Sequence, residues 1–125
     1  MAKVIVSTDH APKSTAFSQG VKAGGFVFVA GQGPFDPNNG EVVGTTIQEQ
    51  TAQCLRNIDA ILQAAGSSLD KIASVTVVLA EEEDFQGMNE EWVKWFPSNP
   101  PARQGAKLPA KILGLKVSIA AIAAA

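Results

Sequence analysis

Apolar and polar residues along this chain alternate with two different periods, and the change of period marks its elements. In "KVIVST" (Lys3 to Thr8) and "GFVFVAGQ" (Gly25 to Gln32) the apolar positions recur as in strands. In the second run Phe26 and Phe28 point one way while Val27 and Val29 point the other, so both faces are apolar and both are expected to be buried. "PFDPNNGEVV" (Pro34 to Val43) carries Asp-Pro and Asn-Gly, which are turn signals, and predicts a hairpin-type connection. From Ile47 the period lengthens. Ile47, Thr51, Cys54, Leu55, Ile58, Ile61, Leu62 and Ala65 recur at helical spacing. Thr45 or Thr46 can cap that helix, with Glu49 three residues past Thr46 as a capping-box partner, and Gly66 stands where a helix ends.

"ASVTVVLA" (Ala73 to Ala80) predicts the next strand. The acids of "EEEDF" read as a solvated turn and helix start, where negative charge suits the helix dipole. A second helix runs through "DFQGMNEEWVKWF", with Phe85, Met88, Trp92, Trp95 and Phe96 on one core-facing stripe, and Pro97 ends it. "ARQGAKL" and "LKVSIAAIA" are the last two strands, joined by a turn containing Pro109. The order strand, strand, turn, helix, strand, helix, strand, strand predicts an α+β fold, a mixed sheet with two helices on one face. Strands 25–32 and 116–123 are apolar on both faces and no third helix is available, so another subunit is expected to cover the second face.

Composition narrows the function classes. A chain of 125 residues with 46% hydrophobic and 18% charged residues reads as one domain, 1–125, with a full core. A formal net charge of -2 without a lysine-rich block argues against a nucleic-acid partner. A single cysteine, Cys54, and a single histidine, His10, make neither an internal disulfide nor an ordinary zinc site. Cys54 lies on the apolar stripe and reads as a buried structural thiol. No run approaches the roughly 20 apolar residues of a membrane helix. The protein is expected to be soluble and cytoplasmic, without a membrane partner.

The chain has two arginines. Arg56 falls off the apolar stripe and reads as a solvated charge. Arg103 sits in "NPPARQGAKLP" (Asn99 to Pro109), between two prolines and Gly105. A guanidinium presents a planar fork that binds a carboxylate through two parallel hydrogen bonds. Read from the residues alone, Arg103 is either a ligand anchor or half of an intersubunit salt bridge.

Several stretches together resemble the YjgF/YER057c/UK114 family, also called the reactive-intermediate deaminase (RidA) family. They are "APKSTAFSQGVKAG" (11–24), "VFVAGQGPFDPNNGEVV" (27–43), "QTAQCLRNIDAILQAAG" (50–66), "VTVVLAEEEDFQGMNEEW" (75–92), "PPARQGAKLP" (100–109) and "VSIAAIA" (117–123). The resemblance implies a chorismate-mutase-like α+β fold and a homotrimer whose sheets line a central barrel, with ligand clefts between subunits. It implies hydrolysis of 2-imino or enamino acids to 2-oxo acids and ammonia, with no cofactor and no metal. It assigns Arg103 as the carboxylate clamp, and places Gly31, Asn89 and the Gln19–Gly20 loop around the cleft. Pro34 reads as structural. The chain departs from the family pattern at four cleft positions. Phe17 replaces a tyrosine, Ala30 a serine, Gly105 a cysteine, and Ser118 the glutamate that positions water; Ala120 replaces the next glutamate. Ser118 can orient a water but is a poor base. The expected catalytic residues are therefore Arg103 and Ser118, and the expected substrate-binding residues are Phe17, Ala30, Gly31, Asn89 and Gly105. The alternative is a non-catalytic trimer that binds a small carboxylate. A ribonuclease or translation-inhibitor role, also ascribed to the family, is disfavoured by the net charge and the lone histidine.

Overall fold

The computed structural model describes residues 2–109, 111–112 and 114–125. Among these residues, six strands form one mixed sheet and two α-helices pack on one of its faces. The strands are β1 (Val4–Val6), β2 (Gly20–Ala23), β3 (Phe26–Gln32), β4 (Ile72–Leu79), β5 (Ala102–Lys107) and β6 (Val117–Ala124). The helices are α1 (Ile47–Ala64) and α2 (Phe85–Trp95). The spatial order is β1-β2-β3-β6-β4-β5, with only the β4–β5 pair parallel. That parallel pair is joined through α2, which crosses from the top of β4 back to the start of β5.

α1 has both ends that its sequence predicts. Thr46 Oγ1 accepts a hydrogen bond from Glu49 N at 3.1 Å, and Glu49 Oε1 accepts one from Thr46 N at 3.1 Å, closing the capping box. At the other end Gly66 takes a φ of 80°. Gly66 N donates to Gln63 O at 3.0 Å and Ser67 N to Leu62 O at 2.8 Å, the paired bonds of a Schellman closure. The buried stripe of α1, with Cys54, Leu55, Ile58, Ile61 and Leu62 all at 0% exposure, packs on β3 and β6 and forms the centre of the core. The connection at Pro34–Val43 is the expected hairpin-like loop. It is closed by Val43 N to Pro34 O at 2.7 Å and by a Phe35–Val42 bridge.

β2 is an addition to the five strands read from the pattern. Its four residues pair with β3 across Gly24 and Gly25, which both have positive φ, 60° and 85°. Two consecutive left-handed residues make a hairpin turn whose twist matches the strands. The Gly-Gly pair carried that signal; the strand itself was too short to show a period.

Within this single chain the strands apolar on both faces are covered on one face only, and the open face is the one expected to meet another subunit. On β3, Val27 and Val29 are buried at 0% and 4% exposure, while Phe26 and Phe28 remain 46% and 43% exposed. The physical reason is that both helices sit on the Val27 side. The core stripe of α2 is shorter than its aromatic residues suggest. Met88, Trp92 and Phe96 are buried, Trp95 is half-buried, and Phe85 is 51% exposed. The turn between β5 and β6 passes through 110 and 113, which lie outside the described residues.

Candidate functional site

Arg103 lies on β5, the edge strand that follows α2. It stands in register with Val75 of β4, which is buried beneath the helices, so the Arg103 side chain is on the helix side of the sheet. There it meets α2. Its Cζ is 5.2 Å from the centre of the Trp92 ring and 5.7 Å from that of Phe85, and its Nη1 is 3.7 Å from Met88 Sδ. Helical spacing explains the seat, since positions 85, 88 and 92 fall on one face of α2. A guanidinium stacks on aromatic faces because it is planar and weakly hydrated. The contacts fix its position without neutralising it. Among the described residues no carboxylate lies within ion-pairing distance of Arg103. The exposure of Phe85 is thereby explained, because this ring serves the arginine rather than the core.

Beside Arg103 lies a cleft of about 700 Å³ between β5 and the start of α2. Val77, Leu79, Met88 and Phe85 give it apolar walls. Its charged lining is Arg103, Lys107 and Glu82. Gly105 lies between the two cations on the strand, and a Cβ there would touch only the Val77 carbonyl, at 3.4 Å. Glu82, exposed as the solvated-turn reading of "EEEDF" expects, also borders the cleft. That run forms a 3-10 turn, Glu82–Asp84, ahead of α2, with Glu81 paired to Lys111 at 3.2 Å and Glu82 lining the cleft. Asn89 follows Met88 on α2 and is half-buried, outside the cleft lining.

Ser118 belongs to a different place. On β6, Val117 and Ile119 point into the core at 0% exposure, so Ser118 between them is on the opposite, helix-free face. Gly31 is its neighbour: a Cβ on Gly31 would lie 3.3 Å from Ser118 Oγ. A bulge between Val29 and Gln32 interrupts the β3–β6 ladder at this point. Ala30 N donates to Gln19 O at 2.9 Å, which ties this bulge to the loop that carries Phe17, 54% exposed. Gln19, in the loop expected to edge the cleft, is a buried brace at 4% exposure. Its amide donates to the carbonyls of Thr8, Ala11 and Pro12 and its Oε1 accepts from Thr8 N at 2.7 Å. Gly20 is structural, since a Cβ there would come within 2.9 Å of Ile61. The expected site residues therefore form two groups. Arg103 and Gly105 line the cleft on the helix side, while Ala30, Gly31 and Ser118 gather on the other face with the Phe17 loop beside them. Within one chain they do not meet.

Sequence pattern missed a buried polar chain on α1. Asn57, 1% exposed, donates to the carbonyls of Gly33 at 3.2 Å and Phe35 at 3.0 Å. It accepts from Gln53 Nε2 at 3.0 Å, and Gln53 Oε1 accepts from Arg56 Nε at 3.0 Å. Arg56 is thus exposed, as expected, but ends a network that holds the strand exit next to Gly31. Cys54 is no nucleophile. It is fully buried, and desolvation pushes its thiol pKa far above the ordinary value. Among the described residues no cluster of acids, histidines or cysteines could hold a metal.

The model of the Endoribonuclease L-PSP family, the YjgF/RidA family, matches residues 8–125. The chain belongs to this family. A RutC family protein of Pyrococcus horikoshii is 45% identical over 125 residues, covering 97% of each chain. The 2-iminobutanoate/2-iminopropanoate deaminase of Homo sapiens is 34% identical over 120 residues, covering 95% of this chain and 88% of its own. Among solved structures, E. coli TdcF with bound serine superposes with a TM-score of 0.89 at 32% identity, covering 98% of both chains. RidA-family membership thus rests on both sequence and fold. No helix among the described residues is long and apolar enough to cross a membrane.

Proposed function

We propose that this RidA-family chain is a hydrolytic deaminase of 2-imino or enamino acids, releasing 2-oxo acids and ammonia. The observation that carries the reading is Arg103, an unpaired guanidinium seated on Phe85 and Trp92 at the mouth of an apolar cleft. A 2-imino acid carries a carboxylate next to its C=N carbon. Two parallel hydrogen bonds from Arg103 hold that carboxylate, and the reacting carbon is then fixed within the cleft. The deaminase relatives support the chemistry, and the serine in TdcF supports a small ligand.

The active form in this proposal is a homotrimer. Two features support it. The helix-free face exposes Phe26, Phe28 and Ile122 as an apolar patch. The second group of site residues, Phe17, Ala30, Gly31 and Ser118, can face the Arg103 cleft only from another copy. The Phe17 loop lies toward the β1–β2 edge and Arg103 on the β5 edge, roughly 20–25 Å apart at the usual strand spacing.

A coupled assay tests the reading. An amino-acid oxidase generates 2-imino acids in the presence of a trapping amine, and wild type is compared with Arg103→Ala and Ser118→Glu. Wild type is expected to divert imine from the trap. Arg103→Ala is expected to lose at least about 100-fold in kcat/KM, since one hydrogen bond to a charged group contributes about 1.5–3 kcal/mol and two are lost. Unchanged turnover in Arg103→Ala would refute the clamp. Activity confined to Ser118→Glu would instead identify a carboxylate-binding protein that has lost its chemistry.

A further inference from the structure

Resting on the deaminase reading, we infer that Glu82 is the general base that activates the hydrolytic water. The position where the resemblance expects a water-orienting glutamate holds Ser118, and Ser118 has no carboxylate to accept a proton. A carboxylate is nevertheless present in the cleft that the clamp lines. Among the described residues that line the Arg103 cleft, Glu82 is the only acidic one. It is free for the task, because no cation among the described residues lies within ion-pairing distance of it. Its neighbour Glu81, by contrast, is engaged by Lys111. The 3-10 turn at Glu82–Asp84 sets Glu82 ahead of Phe85 and Met88, so the carboxylate and the guanidinium seat are carried by one continuous segment. The other charged lining groups, Arg103 and Lys107, are cations on the facing strand.

The step balances as follows. The 2-imino acid is bound as its iminium, with its carboxylate on Arg103. Water oxygen forms a bond to the C=N carbon while Glu82 takes one water proton, and the C=N π pair moves to nitrogen. The product is a neutral-amine carbinolamine and a protonated Glu82. Glu82 then returns its proton to the amine. The C–N bond breaks with its electron pair leaving on ammonia, and the hydroxyl oxygen closes to C=O. The hydroxyl proton departs with ammonia as ammonium. Iminium and water become a 2-oxo acid and ammonium, and Glu82 ends ionised as it began. No oxidant, metal or further reactant enters.

The test uses the same imine assay on the full chain, with Glu82→Gln, Glu82→Asp and Glu82→Ala beside Arg103→Ala. Glu82→Gln keeps the size of an exposed side chain and removes the base. It is expected to lower kcat about 100-fold with KM changed by less than about threefold, in the range general-base catalysis supplies. Glu82→Asp is expected to retain part of that rate. Added formate is expected to restore turnover to Glu82→Ala in proportion to its concentration, which a merely structural residue would not allow. Glu82→Gln within about threefold of wild type, with Arg103→Ala inactive, would overturn the assignment and leave the deaminase reading standing. A slow Glu82→Ala that formate does not rescue would also overturn it. A wild type without turnover above the uncatalysed rate would end both.

Discussion

Asn57 offers the sharpest measurement of what holds the Gly31 bulge in place. The substitution is Asn57→Leu, which keeps the branched side-chain skeleton and removes every side-chain hydrogen bond. Three partners lose theirs: the carbonyls of Gly33 and Phe35, at 3.2 and 3.0 Å, and the amide of Gln53, at 3.0 Å. Asn57 itself is 1% exposed, so water does not reach its site without a structural change. A buried group left unsatisfied costs about 1–3 kcal/mol. Gln53 retains its bond from the exposed Arg56 and loses only one of its two partners. The two carbonyls cannot both find water cheaply. The expected loss is about 3 kcal/mol. For a chain of 125 residues the unfolding entropy implies about 4 °C per kcal/mol, hence a Tm lower by about 12 °C. Urea unfolding at one fixed protein concentration is the assay, so that any association between copies weighs equally on both proteins. The midpoint should fall with the m-value unchanged. A loss below about 1 kcal/mol would refute the reasoning, and would mean that the loop carbonyls are satisfied without α1.

Two further outcomes follow from groups whose titration is shifted. Glu49 accepts hydrogen bonds from Thr46 and Thr45 at the start of α1, and these lower its pKa below the ordinary 4.5. A depressed folded pKa adds stability that is present above the unfolded value and is lost as pH falls through the folded one. Glu49→Gln should therefore unfold at lower temperature than wild type at pH 7, and the gap should close as the pH is taken well below 4.5; a gap independent of pH would contradict this. Cys54, with its thiol pKa raised by burial, should not react with a thiol-specific reagent in the native protein and should react at once in denaturant; fast native labelling would show that α1 opens.

What the sequence revealed and what it hid divide by physical cause. α1 was legible to its ends, because its caps are local: Thr46, Glu49 and Gly66 all act within a turn of the helix. β2 was hidden, because four residues cannot show a period and its stability comes from pairing with β3. Gln50, Gln53 and Asn57 were hidden for the opposite reason. They read as the polar face of an amphipathic helix, yet they are buried, since loops wrap that side and offer carbonyls to Gln50 and Asn57, while Gln53 donates to Asn57. Phe85 was misplaced because an aromatic residue on a helical stripe normally serves the core. Only the position of Arg103, set by the β4–β5 register, gives it another partner.

The candidate site obeys the same division, and this bears on how such a chain would evolve its chemistry. Arg103 was picked out by its scarcity and by its flanking prolines and glycine. Glu82 was passed over because it sits in a run of acids that looks like a solvated turn. Strand alternation settles which of the two acid–base candidates shares a cleft with the clamp inside one chain. Arg103 stands beside the buried Val75, while Ser118 stands between the buried Val117 and Ile119 and so points away from it. A proton acceptor on β6 needs a second copy to reach the clamp, and its placement depends on how two chains dock. A proton acceptor in the turn before α2 needs only the β4–α2–β5 unit that already seats Arg103. If Glu82 does the work, loss of the acid at position 118 costs little, and Ser118→Glu should change turnover far less than Glu82→Gln does. If instead Ser118→Glu raises the rate by orders of magnitude in a chain that keeps Glu82, the base belongs to the interface, and the chemistry of this fold is set by docking rather than by the single chain.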